Sequence, residues 1–179
     1  MANADINSNS SAVAKVQASL DQLFKSNIVS GDAYIKFQLT TGVSALFAMT
    51  QVQESLIVKA KQITTLPNMP PSAIGAMNSR DHVFCVFDLA QLLGFSTRLN
   101  NSRQYQIIVL QTTTEPQVNV GFAVANLQGI SRFSQEQIYL SSENIVDNLH
   151  DRISGVVQQD ENTIPILALD SILSSMNSN

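Results

Sequence analysis

The residue types that most often carry chemistry are scattered through this sequence, and none is spaced for catalysis. His82 and His150 are the only histidines, and neither has a Cys, Asp or Glu at the spacing of a metal site. The chain also lacks a phosphate-binding loop, a nucleophile elbow and the glycine motif of dinucleotide-binding folds. The sequence therefore predicts a protein that is not an enzyme, with no catalytic residues, no cofactor and no metal.

The single cysteine and the acidic residues have unreactive interpretations. Cys85 has no partner for an intramolecular disulfide, and it lies inside the apolar run 83–87. That position favours a small buried hydrophobe over a reactive thiolate. Four acidic residues lie in polar stretches and are expected to be solvated charges: Asp147, Asp151, Asp160 and Glu161.

A polar turn at residues 78–82 separates two apolar segments and offers the side chains best suited to contact a partner. The guanidinium of Arg80 has a fork of donors that matches carboxylates and carbonyls. Arg80 can therefore bind a partner, or hold its own turn by bonding backbone carbonyls, and the sequence leaves both interpretations open. The amide of Asn78 is expected to cap the turn.

Charge and hydropathy limit the classes of partner that the chain is expected to bind. The net charge is −4 and the pI is about 5.0, which gives no electrostatic reason to expect nucleic acid or an anionic membrane as a partner. The N-terminus lacks the basic-then-apolar order of a signal peptide, and no apolar stretch approaches membrane-spanning length. We expect a cytoplasmic protein without direct membrane insertion.

The elements that must position these residues begin after an Asn/Ser-rich segment. Residues 1–11 are predicted to be a disordered tail. Apolar residues at three- and four-residue spacings then predict an N-terminal amphipathic helix over residues 12–28: Val13, Val16, Leu20, Leu23 and Phe24. This helix can pack on its own domain or seek a partner helix.

From residue 33 the apolar period changes to two. Residues 33–39 alternate cleanly, a hairpin turn follows at 40–43, and residues 44–49 return as a second strand. Residues 50–56 fit either a short helix or a bent strand edge. Further strands are predicted at 83–87, 105–111, 118–127, 153–157 and 163–167. Many short strands at hairpin spacing favour β-barrels or sandwiches.

Two segments, each a strand followed by a short helix, are similar in sequence, and we call this similarity the echo. Asp88 is a good N-cap for a helix over 89–93, which Gly94 can end in the left-handed conformation. Residues 85–93 align without gaps on residues 165–173, and each copy is an apolar strand that runs into a short helix. The echo predicts two similar lobes, each closed by its own helix.

Motifs along most of the chain, from about Tyr34 to Leu173, resemble the CheW-like chemotaxis coupling domain. Three ordered groups carry the resemblance: Ile63, Leu66, Pro67 and Pro70; then Ile74, Gly75, Asn78 and Arg80; then Val86, Asp88, Leu89 and the Leu92-Leu93-Gly94 sequence. Residues 52–54 are similar to the V-x-E segment of that family, residues 120–124 to its V-G-x-x-V strand, and residues 163–167 to its last strand. The chain departs from the pattern where Asp81 replaces a glycine, where Cys85 replaces a proline, and at Ala125-Asn126, where the family often has an aspartate.

The resemblance implies a mainly β fold of two interlocked five-stranded SH3-like β-barrels with a shared hydrophobic core and short helices. A single CheW-like domain made of these two lobes is expected over residues 33–175. Members of the family that stand alone are non-catalytic adaptors in chemotaxis, phototaxis or pilus-based motility. They bind the regulatory domain of a CheA-type histidine kinase and the cytoplasmic tip of a chemoreceptor. Membrane association would then arise only through receptor arrays.

The resemblance also implies four partner-binding residues. It puts Val52 in a groove that accepts the receptor tip, with Glu54 at the rim, and Asn78 and Arg80 beside the contacts. The alternative is that Val52 belongs to the core and Glu54 is a solvated charge. A different functional hypothesis also remains, in which the chain is a CheW-like scaffold in a chemosensory-like system outside taxis. It would then recruit its partner through the N-terminal helix.

Overall fold

The structure, a computed structural model, describes residues 30–97, 99, 102–140, 145–160 and 162–176. The predicted tail 1–11 and helix 12–28 lie outside these residues. The described strands are β1 Asp32–Thr40, β2 Val43–Ala48, β3 Val52–Lys59, β4 Ala73–Ser79, β5 His82–Asp88, β6 Gln104–Gln111, β7 Asn119–Val124, β8 Asn126–Phe133, β9 Ile138–Tyr139, β10 Ile153–Gln159 and β11 Asn162–Leu167. The α-helices are α1 Leu89–Leu92 and α2 Leu169–Met176. Short 3₁₀ helices span Ala60–Gln62, Gln135–Gln137 and Asp147–Arg152.

The strands form two curled sheets, which we call lobe 1 and lobe 2. Lobe 1 has the order β8-β1-β2-β11-β10-β9, and lobe 2 has the order β3-β6-β7-β5-β4. The chain crosses between them, because β1 and β2 belong to lobe 1, β3 to β7 to lobe 2, and β8 to β11 to lobe 1 again. The predicted pair of interlocked β-barrels is confirmed, with the two-residue β9 as an additional strand in lobe 1.

The two lobes repeat one design, as the sequence echo predicted. In each lobe a hairpin ends in a strand that pairs in parallel with the lobe's other hairpin and then enters a helix. Val86 of β5 lies opposite Gly121, and Ile166 of β11 lies opposite Leu46. Val86 and Ile166 are the residues that the gap-free alignment of the two segments superposes.

The segments that close the two barrels match as well. After β3, the Lys59 N–H donates to Gln62 Oε1 at 2.8 Å, and after β8 the Ser134 N–H donates to Gln137 Oε1 at 2.9 Å. Each 3₁₀ turn leads the chain to the lobe's other edge. In lobe 2 Thr64 bridges Ala76 of β4, and in lobe 1 β9 pairs with β10. These closing contacts turn two open sheets into barrels with little exposed edge.

Gly75 is required at the closing contact of lobe 2. Its φ is +151°, and a Cβ atom there would lie 2.3 Å from the carbonyl oxygen of Thr64. That oxygen accepts the Ala76 N–H at 2.8 Å, and the Thr64 N–H donates to the Ala76 carbonyl at 2.8 Å. Any side chain at residue 75 would therefore push apart the two hydrogen bonds that close the barrel.

Among the described residues, three apolar clusters stabilise this architecture. One lies inside each lobe, and the largest lies between them, which confirms the shared core that the resemblance implied. Its centre is a row of rings from both lobes: Phe37 stacks on Phe47 at 5.2 Å, and Phe47 on Phe122 at 5.9 Å. The buried side chains of Leu89 and Leu169 add α1 and α2 to the same cluster.

The predicted caps of α1 are present. The Gln91 N–H donates to Asp88 Oδ1 at 3.1 Å, and Gly94 has φ +81° at the end of the helix. The hydroxyl of Thr97 donates to the other oxygen of the Asp88 carboxylate. Asp88 is only 4% exposed, so these two donors compensate for the burial of its charge.

One predicted element differs in the structure, and one open alternative is decided. The single strand predicted over 118–127 is wrong, because the chain divides at Ala125 into β7 in lobe 2 and β8 in lobe 1. For segment 50–56 the strand alternative is confirmed, since from Val52 it belongs to β3, which lies at the edge of its sheet and contains a bulge. Both outcomes come from pairing with distant strands, β1 with β8 and β3 with β6, which a local pattern does not contain.

Candidate functional site

An open groove of about 430 Å³ lies between β3 of lobe 2 and the β1–β8 pair of lobe 1. Its apolar side chains are Ile35, Met49, Val52, Leu127 and Ile130, and Gln53, Glu54, Ser55 and Gly129 complete the lining. Ile130 is 62% exposed, which is unusual for a large apolar side chain in the middle of a strand. An exposed apolar strip with polar edges is typical of a surface that binds another protein.

A β-bulge sets the different directions of Val52 and Glu54. Val52 lies opposite Leu110 and Glu54 lies opposite Val109, so Gln53 is an extra residue in β3. Leu110 belongs to the shared core and Val109 to the lobe 2 core. Val52 therefore packs against the shared core beside the groove, whereas Glu54 turns towards the end of the lobe 2 barrel. Val52 contacts the shared core and also lines the groove.

Glu54 and Arg80 form an ion pair across the mouth of lobe 2. The Nε atom of Arg80 lies 3.2 Å from Oε2 of Glu54, although the two residues belong to opposite edges of the sheet. The Glu54 side chain is 11% exposed and that of Arg80 is 78% exposed. The pair therefore anchors one side of the guanidinium and leaves the rest of it open to solvent.

The turn that carries Arg80 is held in a left-handed conformation. Arg80 has φ +46° and Asp81 has φ +67°, and Ser79 pairs with His82 on either side of them. Two central residues with positive φ are the mark of the tight hairpin turn that follows the twist of the strands. For residues other than glycine this conformation costs about 1 kcal/mol each. Asp81 thus adopts the conformation for which the CheW-like pattern has glycine.

Asn78 is not brought to the groove. It lies in β4 opposite Val83, is exposed, and is absent from the groove lining. Within the described residues its amide makes no side-chain hydrogen bond to the turn, so the expected cap is not formed there. Val52, Glu54 and Arg80 therefore lie together at the groove and its rim, whereas Asn78 lies on β4 outside the groove.

Sequence reasoning missed the wall of the groove that lobe 1 provides. Leu127 and Ile130 come from β8, and Ile35 and Met49 come from or follow the first hairpin. The signal available in the sequence was the apolar residue Ile130 next to Gly129. It became informative only when β8 was placed in lobe 1 beside β1.

In the part of the chain that the structure describes, the remaining reactive residues do not gather into a second site. Among the described residues, no group of three or more His, Cys, Asp and Glu side chains could hold a metal ion. Cys85 is half-buried and packs against the shared core. In the same part of the chain, no helix has the length and apolar character needed to cross a membrane.

Two curled β-barrel lobes with an apolar groove and an ion pair at its rim are typical of a protein-binding module. The family model described as a CheW-like domain matches residues 34–177, and the chain belongs to this family. "Chemotaxis protein CheW" of Thermotoga maritima is 29% identical over 118 residues, which are 66% of this chain and 74% of that protein. The crystal structure of the scaffolding protein TtCheW from Thermoanaerobacter tengcongensis has the same fold. It matches with a TM-score of 0.66 and 19% identity over 78% of this chain and 90% of that one.

Proposed function

We propose that this protein is a non-catalytic adaptor that couples the cytoplasmic tip of a chemoreceptor to the regulatory domain of a CheA-type histidine kinase. The output would be chemotaxis, phototaxis or pilus-based motility. The observation that carries the proposal is the apolar groove with Val52 in its wall and the Glu54–Arg80 pair at its rim, in a chain of the CheW-like family. The protein would then be cytoplasmic and reach the membrane only through receptor arrays.

The groove suits the end of a helical hairpin, which would lay an apolar ridge against Val52, Leu127 and Ile130. Ile130 would contribute most to the free energy of binding, because its exposed surface would be removed from water when the partner binds. The polar edge formed by Gln53 and Ser55 can satisfy backbone groups at the helix end.

Arg80 would act at the rim through the donors that Glu54 leaves open. The ion pair engages Nε and fixes the plane of the guanidinium, so less side-chain entropy is lost when a partner binds. The exposed side of the guanidinium can then take a carboxylate or helix-end carbonyls of the partner. Each single contact would be modest, and multivalent assembly in an array would raise the overall affinity.

The test is a pair of titrations with purified receptor-tip fragment and purified kinase regulatory domain from the same genome. Ile130→Asp should lower affinity for the receptor tip by about tenfold, since it places a charge in the apolar groove. Ile57→Asp is the matched control, because Ile57 is 64% exposed against 62% for Ile130 and lies on β3 outside the groove. Arg80→Ala should weaken tip binding with the circular dichroism spectrum unchanged. Retention of neither partner by the wild type at micromolar concentration would refute the adaptor role in this form.

A second candidate function is a CheW-like scaffold in a chemosensory-like system outside taxis. The family model begins at residue 34, so the predicted helix at 12–28 lies ahead of the matched region and is available as a separate recruiting element. In that case a partner other than the receptor tip and the kinase domain would bind through this helix.

A further inference from the structure

A side chain of lobe 2, Gln106 of β6, is hydrogen-bonded to the wall that lobe 1 contributes to the groove. The Leu127 N–H donates to Gln106 Oε1 at 2.6 Å. Leu127 is the second residue of β8, and its side chain lines the groove and packs against the shared core. Because β6 belongs to lobe 2 and β8 to lobe 1, this hydrogen bond joins the two lobes at a residue of the groove.

A bulge in β8 comes directly after Leu127. Phe37 lies opposite Leu127 and Lys36 lies opposite Gly129, so Gln128 is an extra residue in β8. A bulge interrupts the hydrogen bonds of the strand ladder locally. A backbone N–H in a half-buried place still requires an acceptor, since leaving it unpaired is costly. The side chain of Gln106 supplies an acceptor at this point.

The row of β6 side chains that includes Gln106 is apolar further along the strand. Side chains two residues apart in a strand share a face, so Gln106 lies on the face of Ile108 and Leu110. Both of these residues are fully buried in the shared core. An apolar side chain at residue 106 would extend this row, but it would not offer Leu127 an acceptor. The amide is therefore explained by the hydrogen bond to lobe 1 and not by packing.

Gln106 is connected to both walls of the groove. In the strand ladder it lies opposite Ile57 of β3, two residues after Ser55, which lines the groove on the lobe 2 side. Its side chain holds Leu127 on the lobe 1 side. The position of Leu127 relative to β3 therefore depends on this one side chain.

We propose that Gln106 is a positioning residue for the groove, which fixes the spacing of the two walls and thereby their fit to the receptor tip. This inference rests on the proposed adaptor function. An apolar ridge packs closely only against a surface of matching shape, and walls that are already fixed lose less freedom when a partner binds. Gln106 does not line the groove, so it acts through Leu127.

The experiment compares two substitutions of Gln106 with a matched control. Gln106→Met has a similar length and no amide oxygen, whereas Gln106→Glu keeps an acceptor oxygen. Gln104→Met is the control, because Gln104 lies two residues earlier on the same face of β6 and outside the groove lining. Each full-length protein is titrated with purified receptor-tip fragment and, separately, with purified kinase regulatory domain. Thermal unfolding confirms that each variant is folded, and Gln106→Ala replaces Gln106→Met if that variant is not.

Gln106→Met should bind the receptor tip at least about fivefold more weakly, because the Leu127 N–H loses its acceptor and the walls lose their fixed spacing. Gln106→Glu and Gln104→Met should bind the tip within about twofold of the wild type, since both keep this hydrogen bond. All four proteins should bind the kinase domain equally. A domain of ordinary stability stays almost entirely folded after the loss of one hydrogen bond, so a role in stability alone would leave tip binding unchanged.

Amide hydrogen exchange, followed by NMR, reports the hydrogen bond itself without any partner. The Leu127 N–H should exchange faster in Gln106→Met than in the wild type and should stay protected in Gln106→Glu. Unchanged exchange in Gln106→Met would show that Gln106 does not hold Leu127, and it would overturn the inference whatever the partners do.

The binding outcomes separate this inference from the adaptor function. If the wild type binds both partners and Gln106→Met binds the tip equally well, the positioning role is overturned and the adaptor function stands. Equal loss of affinity for the tip and the kinase domain also overturns the inference, because the effect is then not specific to the groove. Weak tip binding by Gln106→Glu as well as by Gln106→Met overturns it too, since the acceptor would not be what matters. If the wild type does not bind the receptor tip, the adaptor function fails, and this inference fails with it.

Discussion

The proposed role of the ion pair between Arg80 and Glu54 is in binding a partner rather than in stabilising the fold. Because the Arg80 side chain is 78% exposed, the pair should contribute only about 0.2–1 kcal/mol to the free energy of unfolding. A double-mutant cycle with Glu54→Gln and Arg80→Gln measures this coupling by denaturant unfolding. The same variants should weaken receptor-tip binding more than they change stability. A coupling energy above about 2 kcal/mol would instead make the pair part of the fold.

Gly75 should be far more sensitive to substitution than other glycines with positive φ. In Gly75→Ala the new methyl group would meet the Thr64 carbonyl at 2.3 Å and open the barrel closure, so we expect a loss of about 2–4 kcal/mol. Gly42→Ala is the control, since Gly42 has φ +76° and no atom within 4 Å of the added Cβ. Strain alone should cost it about 1 kcal/mol. If Gly75→Ala and Gly42→Ala lose the same free energy of unfolding in chemical denaturation, the Thr64 contact is unimportant.

Tyr34 should make stability fall at alkaline pH. Burial, and secondarily the carboxylate of Asp32, raise the pKa of Tyr34 above its ordinary value. The unfolded chain therefore loses this proton at a lower pH than the folded chain, and stability is lost as the pH rises through about 10. Tyr34→Phe should have a smaller decrease in unfolding free energy between about pH 9 and 11 than the wild type. Tyr105→Phe serves as the comparison, and equal pH slopes for Tyr34→Phe and the wild type would contradict the assignment.

At the scale of elements, the short helix α1 depends on one buried carboxylate. Asp88 accepts hydrogen bonds from the Gln91 N–H and the Thr97 hydroxyl. Asp88→Ala removes the cap and leaves both donors without this acceptor, so a loss of about 2–3 kcal/mol is expected. Asp88→Asn keeps one acceptor oxygen, so it should lose less free energy of unfolding than Asp88→Ala does. Thermal unfolding followed by circular dichroism measures both, and an unchanged midpoint for Asp88→Ala would refute the cap.

Local signals in the sequence were sufficient for several elements and insufficient for the connections between them. Period-two alternation predicted β1, and the Asp88 and Gly94 caps predicted α1. The break at Ala125 and the assignment of β3 to lobe 2 were not predictable in the same way. They depend on which distant strand offers a hydrogen-bonding edge, and no residue within the segment encodes that choice.

The same limit applies to the candidate site. Val52, Glu54 and Arg80 were found through the CheW-like motifs, and the structure brings them together at the groove and its rim. Ile130 and Leu127 were missed because they reach the groove only through the pairing of β8 with β1. Asn78 belongs to the same motif but lies away from the groove, so proximity in sequence to Arg80 did not predict proximity to the site.

At the scale of the whole molecule, the interlocked chain path places the groove between the two lobes. Its walls come from β1 and β8 of lobe 1 and from β3 of lobe 2, and the shared core behind them includes rings from both lobes. A partner bound there contacts both lobes at once. Destabilising either barrel should therefore weaken the groove, which is why each binding variant needs its own folding control.

Deletion of residues 1–28 distinguishes the two functional proposals for the whole chain. The groove and the Glu54–Arg80 pair are both built from residues after 34, within the region that the family model matches. The simple adaptor proposal therefore predicts that the truncated protein binds the receptor tip and the kinase domain within about twofold of the full-length protein, since every proposed contact remains. Loss of binding to either partner, with the circular dichroism spectrum and unfolding midpoint of the remaining domain unchanged, would show that the N-terminal segment recruits that partner. The scaffold outside taxis would then become the better description, and the next step would be capture of its partner on the isolated residues 1–28.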